Sequence, residues 1–147
     1  MISKGGRYGC DSGLAITRGT RPVTTGKNGR LIVAIDCLFC KIVSGEVPSE
    51  KVYESEHVLA FRDINPQAPT HVLVIPKRHV GSAAELGAEH AEELSEIFDA
   101  CNKVAKEEGI DASGYRIVTN VGRNAGQTVF HLHFHLLGGR PMTWPPG

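Results

Sequence analysis

No run of apolar residues in this chain approaches the ~18 that a membrane-spanning helix needs, so a protein integral to a membrane is not expected. Cysteine is too sparse and scattered for a secreted disulfide framework. Of four, Cys10 lies near the start, Cys101 falls in an expected helix, and only Cys37 and Cys40 are close, as Cys-x-x-Cys. In a reducing compartment that spacing reads as metal or redox chemistry. No secretory apolar segment precedes the pair, and a cytoplasmic location is expected. Internal repeats and an alternating strand–helix–strand rhythm are absent too. Net charge is missing as well, since 16 Lys/Arg balance 16 Asp/Glu.

That balance conceals an asymmetry. Residues 1–35 hold six Lys/Arg against Asp11 alone, which leaves ten Lys/Arg against fifteen Asp/Glu in residues 36–147. An acidic body lacks the clustered Lys/Arg of a nucleic-acid surface, so no such partner is expected. The basic first segment has much Gly, Ser and Thr and no sustained hydrophobic period before Leu31–Ile35. It reads as a disordered extension, the alternative being an organelle-targeting peptide. The remaining 36–147 are expected to form one domain with a core of its own.

Within that domain Cys37–Val43 fits a short helix, closed by Ser44-Gly45. Lys51–Tyr53, His57–Arg62 and His71–Ile75 fit strands bounded by turn-forming residues. Ser82 with Glu85 fits a capping box for one long helix. Leu94, Ile97, Phe98, Cys101, Val104 and Ala105 recur at its spacing, and Gly109 terminates it. Tyr115–Val121 and Val129–Leu137 complete the strands. Short connections favour an antiparallel sheet of about five strands with the helix on one face, an α+β architecture.

The run Thr128-Val-Phe-His-Leu-His-Phe-His-Leu-Leu-Gly-Gly places His131, His133 and His135 at alternate positions. On a strand they share one face, roughly 6.6 Å apart, while Leu132, Phe134 and Leu136 face the other way. Solvated surface histidines, a zinc site and covalent chemistry on phosphorus are the three readings. The third is favoured by Gly122-Arg-Asn-Ala-Gly-Gln-Thr, which runs straight into the row. Glycine-rich backbone can cradle an anion with its N–H groups, and Gln127 and Thr128 add an amide and a hydroxyl.

His131-Leu-His-Phe-His-Leu-Leu resembles the motif of the histidine-triad family of nucleotide hydrolases and transferases. The likeness extends to Ala60-Phe-Arg-Asp-Ile-Asn-Pro-Gln-Ala-Pro-Thr-His-Val-Leu-Val-Ile-Pro-Lys, to Gly126-Gln-Thr-Val, and to Leu137-Gly-Gly-Arg-Pro-Met-Thr-Trp-Pro-Pro-Gly. These look like the family's nucleotide-binding-protein branch and cover about residues 36–147. The resemblance implies a histidine-triad fold that hydrolyses purine nucleoside 5′-phosphoramidates, such as adenylated amines or lysine, to AMP. The alternatives are a dinucleotide polyphosphate hydrolase or nucleotidyl transferase of the same family, and a nucleotide-binding interaction module.

It also implies roles. His133 is the expected nucleophile, giving a nucleotidyl-histidine that water hydrolyses, with the carbonyl of His131 holding its tautomer. His135 and His71 contact phosphate oxygens. Asp63, Phe61 and Ile64 match a nucleoside pocket, the carboxylate on the ribose hydroxyls and the two apolar side chains around the base. A turn-forming role for Asp63 is the plain alternative. Asn120, Gly126, Gln127 and Thr128 match phosphate-holding positions. Cys37, Cys40, His79 and His131 match the ligands of a structural zinc in microbial members, against the alternative of two free, half-buried thiols. No cofactor is expected to be required for catalysis. Relatives imply a homodimer in which the tail, with Trp144, reaches toward the partner's pocket.

Overall fold

The structure, a computed structural model, describes residues 36–147, together with the backbone of β1 (Val23–Thr25) and β2 (Leu31–Val33). Contacts divide the chain after Ala34 into two units. In the first, β1 and β2 pair antiparallel, a hairpin that the sequence did not announce. The expectations of disorder or targeting for residues 1–35 otherwise lie outside the described residues. Among those residues no helix is long and apolar enough to cross a membrane.

In the second unit the order is α1 (Leu38–Val43), β3 (Lys51–Glu54), β4 (Val58–Arg62), β5 (Thr70–Pro76), α2 (Ala91–Glu107), β6 (Tyr115–Val118) and β7 (Phe134–Gly138). The strands form one antiparallel sheet in the order β3-β4-β5-β7-β6, so the α+β expectation of five strands and one long helix is met. Val and Ile dominate β5, whose seven residues are all buried. That pattern suits a strand covered on both faces.

The two faces have different covers. Val58, Ala60, Val72, Val74, Leu132, Phe134 and Leu136 pack against Ile97, Ala100, Cys101 and Val104 of α2. The buried positions of α2, Ile97, Ala100, Cys101, Val104 and Ala105, follow the i, i+3, i+4, i+7, i+8 stripe of a helix lying on a core. Phe98 falls off that stripe and is half exposed, its edge against Phe134. On the opposite face Leu59, Phe61, Leu73 and Ile75 pack against Phe39 and Ile42 of α1. The short helix therefore covers a second core, and the candidate chemistry lies on its side of the sheet.

Three boundaries differ from the sequence reading by several residues, one being β6, which ends at Val118 and not at Val121. Ser82 caps a single 3-10 turn, Ala83–Glu85, its Oγ accepting the Ala84 N–H. The long helix begins only at Ala91, after Gly87 interrupts the chain and donates its N–H to His90 Nδ1. The triad strand is also shorter than expected, because β7 starts at Phe134 and contains His135 alone of the three histidines. Gly109 does end α2, with φ of +68°, a backbone state that glycine adopts without Cβ strain.

Candidate active site and metal centre

The sheet register brings the histidines together. His135 lies opposite Leu73, which lies opposite Phe61, so all three share the face covered by α1. His71 enters the same face from the start of β5, opposite Leu137. His131 and His133 precede β7, yet the alternation continues through them, since Leu132 points into the α2 core. Two bonds hold this segment: the Leu132 N–H donates to the Val80 carbonyl at 2.6 Å, and Thr119 Oγ1 donates to the His133 carbonyl at 2.9 Å. The rings of His133 and His135 have centroids 5.0 Å apart, nearer than regular strand spacing.

His133 is buried, 5% exposed, and its Nδ1 lies 2.7 Å from the His131 main-chain oxygen. A carbonyl can only accept, so Nδ1 carries a hydrogen, and in the neutral ring Nε2 holds the lone pair. The arrangement aims Nε2 of a buried imidazole away from this bond. Phe39 packs edge-on against both His131 and His133, with centroids 5.8 and 5.3 Å away. Beside them His71 Nε2 lies 2.9 Å from His135 Nδ1 and 3.5 Å from Asp63 Oδ2. Burial pushes the His71 imidazole below its ordinary value. Burial, then the nearby His133 and His71, push His135 down to about 4.

His131 looks the other way. Its Nε2 lies 2.8 Å from the Pro76 carbonyl, so Nε2 carries the hydrogen and Nδ1 presents a lone pair. That Nδ1 is 3.5 Å from Cys37 Sγ and 3.6 Å from Cys40 Sγ, and His79 Nδ1 is 3.3 Å from Cys40 Sγ. The four ligand atoms all lie within 4.8 Å of one another. A tetrahedral zinc with bonds of ~2.3 Å to sulfur and ~2.0 Å to nitrogen has sulfur–nitrogen edges of about 3.5 Å. The donor set and its spacing therefore fit the ion, with the Pro76 carbonyl orienting a ligand ring from behind. Burial, followed by Cys37 alongside, pushes the Cys40 thiol up to about 11, so loading a cation there must displace protons.

The nucleoside and phosphate residues are placed less as expected. Asp63 does form the plain turn, its Oδ1 accepting the Asn65 N–H at 2.8 Å, while Oδ2 faces His71. Phe61 and Ile64 are not two walls of a slot. Phe61 is buried in the floor, edge-on to Phe39, whereas Ile64 stands fully in solvent. Gln127 is 3% exposed and offers nothing to a phosphate. Its Oε1 accepts the Gly122 N–H, its Nε2 donates to the Gly81 and Val129 carbonyls, and its own N–H donates to the Gly122 carbonyl. The N–H groups of Ala125 and Gly126 also bond within the loop, so the expected backbone cradle is largely self-satisfied. Gly126, with φ of +86°, closes this turn. Asn120 is half-buried and Thr128 exposed beside the histidines' segment.

Phe39, Thr119 and the carbonyls of Pro76 and Val80 were missed in the sequence. Phe39 had a signal, lying between the two cysteines on the short helix. A carbonyl partner leaves no mark in residue type.

A family model described as HIT domain matches residues 44–142. The chain is similar to the purine nucleoside phosphoramidase of Escherichia coli strain K12, 46% identical over 110 residues, which span 75% of this chain and 92% of that one. It is also similar to a 14 kDa zinc-binding protein of Zea mays, 54% identical over 112 residues, 75% of this chain and 87% of that one. Among solved structures, a HIT family hydrolase from Legionella pneumophila Philadelphia 1 superposes with a TM-score of 0.75. The two are 52% identical, and the match covers 76% of this chain and all of that one.

The histidine pair predicts a pH dependence of stability. His71 and His135 are held below 6.5 when folded and return to it when unfolded, so below pH 6.5 the unfolded chain binds protons that the folded chain refuses. Their contribution is present above pH 6.5 and is lost as pH falls toward about 4. Urea unfolding at pH 7.5 and pH 5 should show this loss. It should be smaller in His135→Asn, and equal losses in the two proteins would contradict the assignment.

Proposed function

This chain belongs to the HIT domain family, and from that premise we propose that it hydrolyses purine nucleoside 5′-phosphoramidates to the nucleoside monophosphate through a covalent nucleotidyl-histidine. The observation that carries the reading is the 2.7 Å contact from His133 Nδ1 to the His131 carbonyl, which leaves Nε2 free to attack. His133 Nε2 forms a bond to the α-phosphorus and the phosphorus–nitrogen bond to the amine breaks, its electron pair leaving with the amine, which takes a proton from solvent. Water then attacks the same phosphorus and gives up a proton to solvent, the phosphorus–Nε2 bond breaks, and its electron pair returns to the His133 ring. Splitting one displacement into two is the benefit of the covalent route.

His135 stands beside His133 to meet the phosphate oxygens, where a preorganised donor stabilises developing charge, and His71 backs it with Nε2 against His135 Nδ1. Asp63 Oδ2 and exposed Ile64 are the groups on the nucleoside side, and Thr128 supplies a hydroxyl where Gln127 does not. The histidines provide both attack and charge stabilisation, so this scheme calls for no further cofactor. Cys37, Cys40, His79 and His131 hold a structural zinc in this reading. What the ion supplies is rigidity, because the His131 ring it fixes belongs to the residue whose carbonyl holds His133. Two protomers form a dimer in the same reading, supported by the open edge at β6 and by Trp144, which is 84% exposed at the end of the tail.

Steady-state turnover of a fluorogenic adenosine phosphoramidate tests the reaction. His133→Ala should lower kcat by at least about a thousandfold, the scale lost when a nucleophile is removed, while AMP still binds in calorimetry. Unchanged turnover would reject His133, and a preference for dinucleotide polyphosphates in the same assay would replace the substrate class. Metal analysis of purified protein should give about one zinc per chain, as one tetrahedral site requires. Cys40→Ser should lose most of it and melt at a lower temperature, and a metal-free chain from zinc-replete cells would remove the site. Light scattering of the same preparation should report the mass of two chains rather than one.

A further inference from the structure

His71 and His135 form a closed chain of hydrogen bonds whose starting point is a main-chain N–H. The Gln67 N–H lies 3.1 Å from His71 Nδ1. An amide N–H can only donate, so His71 Nδ1 accepts, and a neutral His71 must carry its hydrogen on Nε2. That Nε2–H faces His135 Nδ1 at 2.9 Å, which must then accept in turn. Neutral His135 is left with its hydrogen on Nε2, the nitrogen free of this chain. The Asp63 carboxylate oxygen, 3.5 Å from His71 Nε2, favours the same arrangement. Burial keeps both rings neutral near pH 7.

We propose that the main-chain N–H of Gln67 sets the tautomers of His71 and His135 in series, so that His135 presents an N–H donor, not a lone pair, to the substrate. Gln67 is thus a positioning residue, acting through two rings. The tautomers stand on the hydrogen-bond geometry of two buried, neutral rings, whereas their effect on turnover rests on the phosphoramidate reading. As His133 Nε2 bonds to phosphorus, charge grows on the phosphate oxygens and on the departing nitrogen. An N–H beside them attracts that charge, and a lone pair in its place would repel it.

The same constraint decides the nature of the cluster. Asp63, His71 and His135 offer ligand atoms within 4.8 Å of one another, close enough to suggest a second metal site. A metal on His71 Nε2 would need the lone pair there, which moves the hydrogen to Nδ1 and sets it against the Gln67 N–H. The geometry therefore points to a hydrogen-bonded relay and not to a coordination site.

Long-range proton–nitrogen correlation on the full chain with 15N-labelled histidine reads the tautomers directly, at pH 7.5. The wild-type protein should show Nε2–H at both His71 and His135. Gln67→Pro removes the N–H and should populate Nδ1–H at His135. Gln67→Ala, which keeps the N–H and loses only the side-chain bond to the Asn65 carbonyl, should retain the wild-type pattern. With a phosphoramidate substrate, kcat of Gln67→Pro should fall about fivefold below that of Gln67→Ala, with KM within about twofold, part of the loss that removing a whole donor causes. Where Gln67→Pro does not fold, His71→Phe serves, since it removes the donor to His135 Nδ1 and should release that ring's tautomer. Nδ1–H on wild-type His135, or an unchanged His135 tautomer in folded Gln67→Pro or His71→Phe, would overturn the proposal. Correct tautomers in a protein that turns over no phosphoramidate would support it while removing the hydrolase reading.

Discussion

One carbonyl, that of His131, ties the two halves of the site together. Its oxygen accepts the His133 Nδ1–H, while the ring of the same residue presents Nδ1 to the two thiols and donates Nε2–H to Pro76. If that backbone unit shifted, His133 would lose the acceptor for its Nδ1–H, and the cysteine–histidine cluster would lose one of its four members. A bond to a main-chain group is well suited to the task, because a carbonyl cannot change roles as a hydroxyl can. The segment is anchored accordingly, by the Val80 carbonyl at Leu132 and the Thr119 hydroxyl at His133.

These anchors explain why β7 begins late. Were His131 and His133 paired in a regular ladder with β6, the sheet would set their backbone, and the chain would have no freedom to carry His131 toward Cys37. Pairing with β6 ends at Val118 and His135, and Thr119 then bonds the His133 carbonyl with its side chain. Side-chain alternation survives because Leu132 and Phe134 remain buried against α2. Hydrophobic burial at about 25 cal/mol per Å² is enough to hold that alternation without ladder bonds.

Much of this was legible from residue type and spacing. Alternation located the histidine face, the 3.6-residue period located α2, and Gly109 marked its end. Cys-x-x-Cys with His79 and His131 named a cluster that does converge in space. One failure came from a partner that is a backbone atom distant in sequence, the others from packing and from a local break in the chain. Gln127 looked like a phosphate donor because an amide beside a glycine-rich loop usually has free hydrogens. Here the Gly81 and Val129 carbonyls take them, and only the tertiary fold brings Gly81 there. Phe61 and Ile64 looked alike as apolar residues near a pocket, yet one lies under α1 and the other beyond it. Ser82 capped a real turn, but Gly87 broke the chain before a long helix could propagate from it.

The two histidine clusters show why proximity of ligands does not by itself define chemistry. Both place three or more candidate ligand atoms within 4.8 Å. In one, the Pro76 carbonyl draws the ring hydrogen to His131 Nε2 and leaves a lone pair facing two thiols, so an ion finds donors already in the right tautomer. In the other, the Gln67 N–H claims the lone pair of His71 Nδ1 and forces a hydrogen between the rings. One main-chain acceptor and one main-chain donor, each at the far nitrogen of an imidazole, thus assign opposite roles to residues of the same kind. The His133 ring belongs to neither cluster and borrows its acceptor from the first while standing against the second. Its unshared Nε2 follows from that placement.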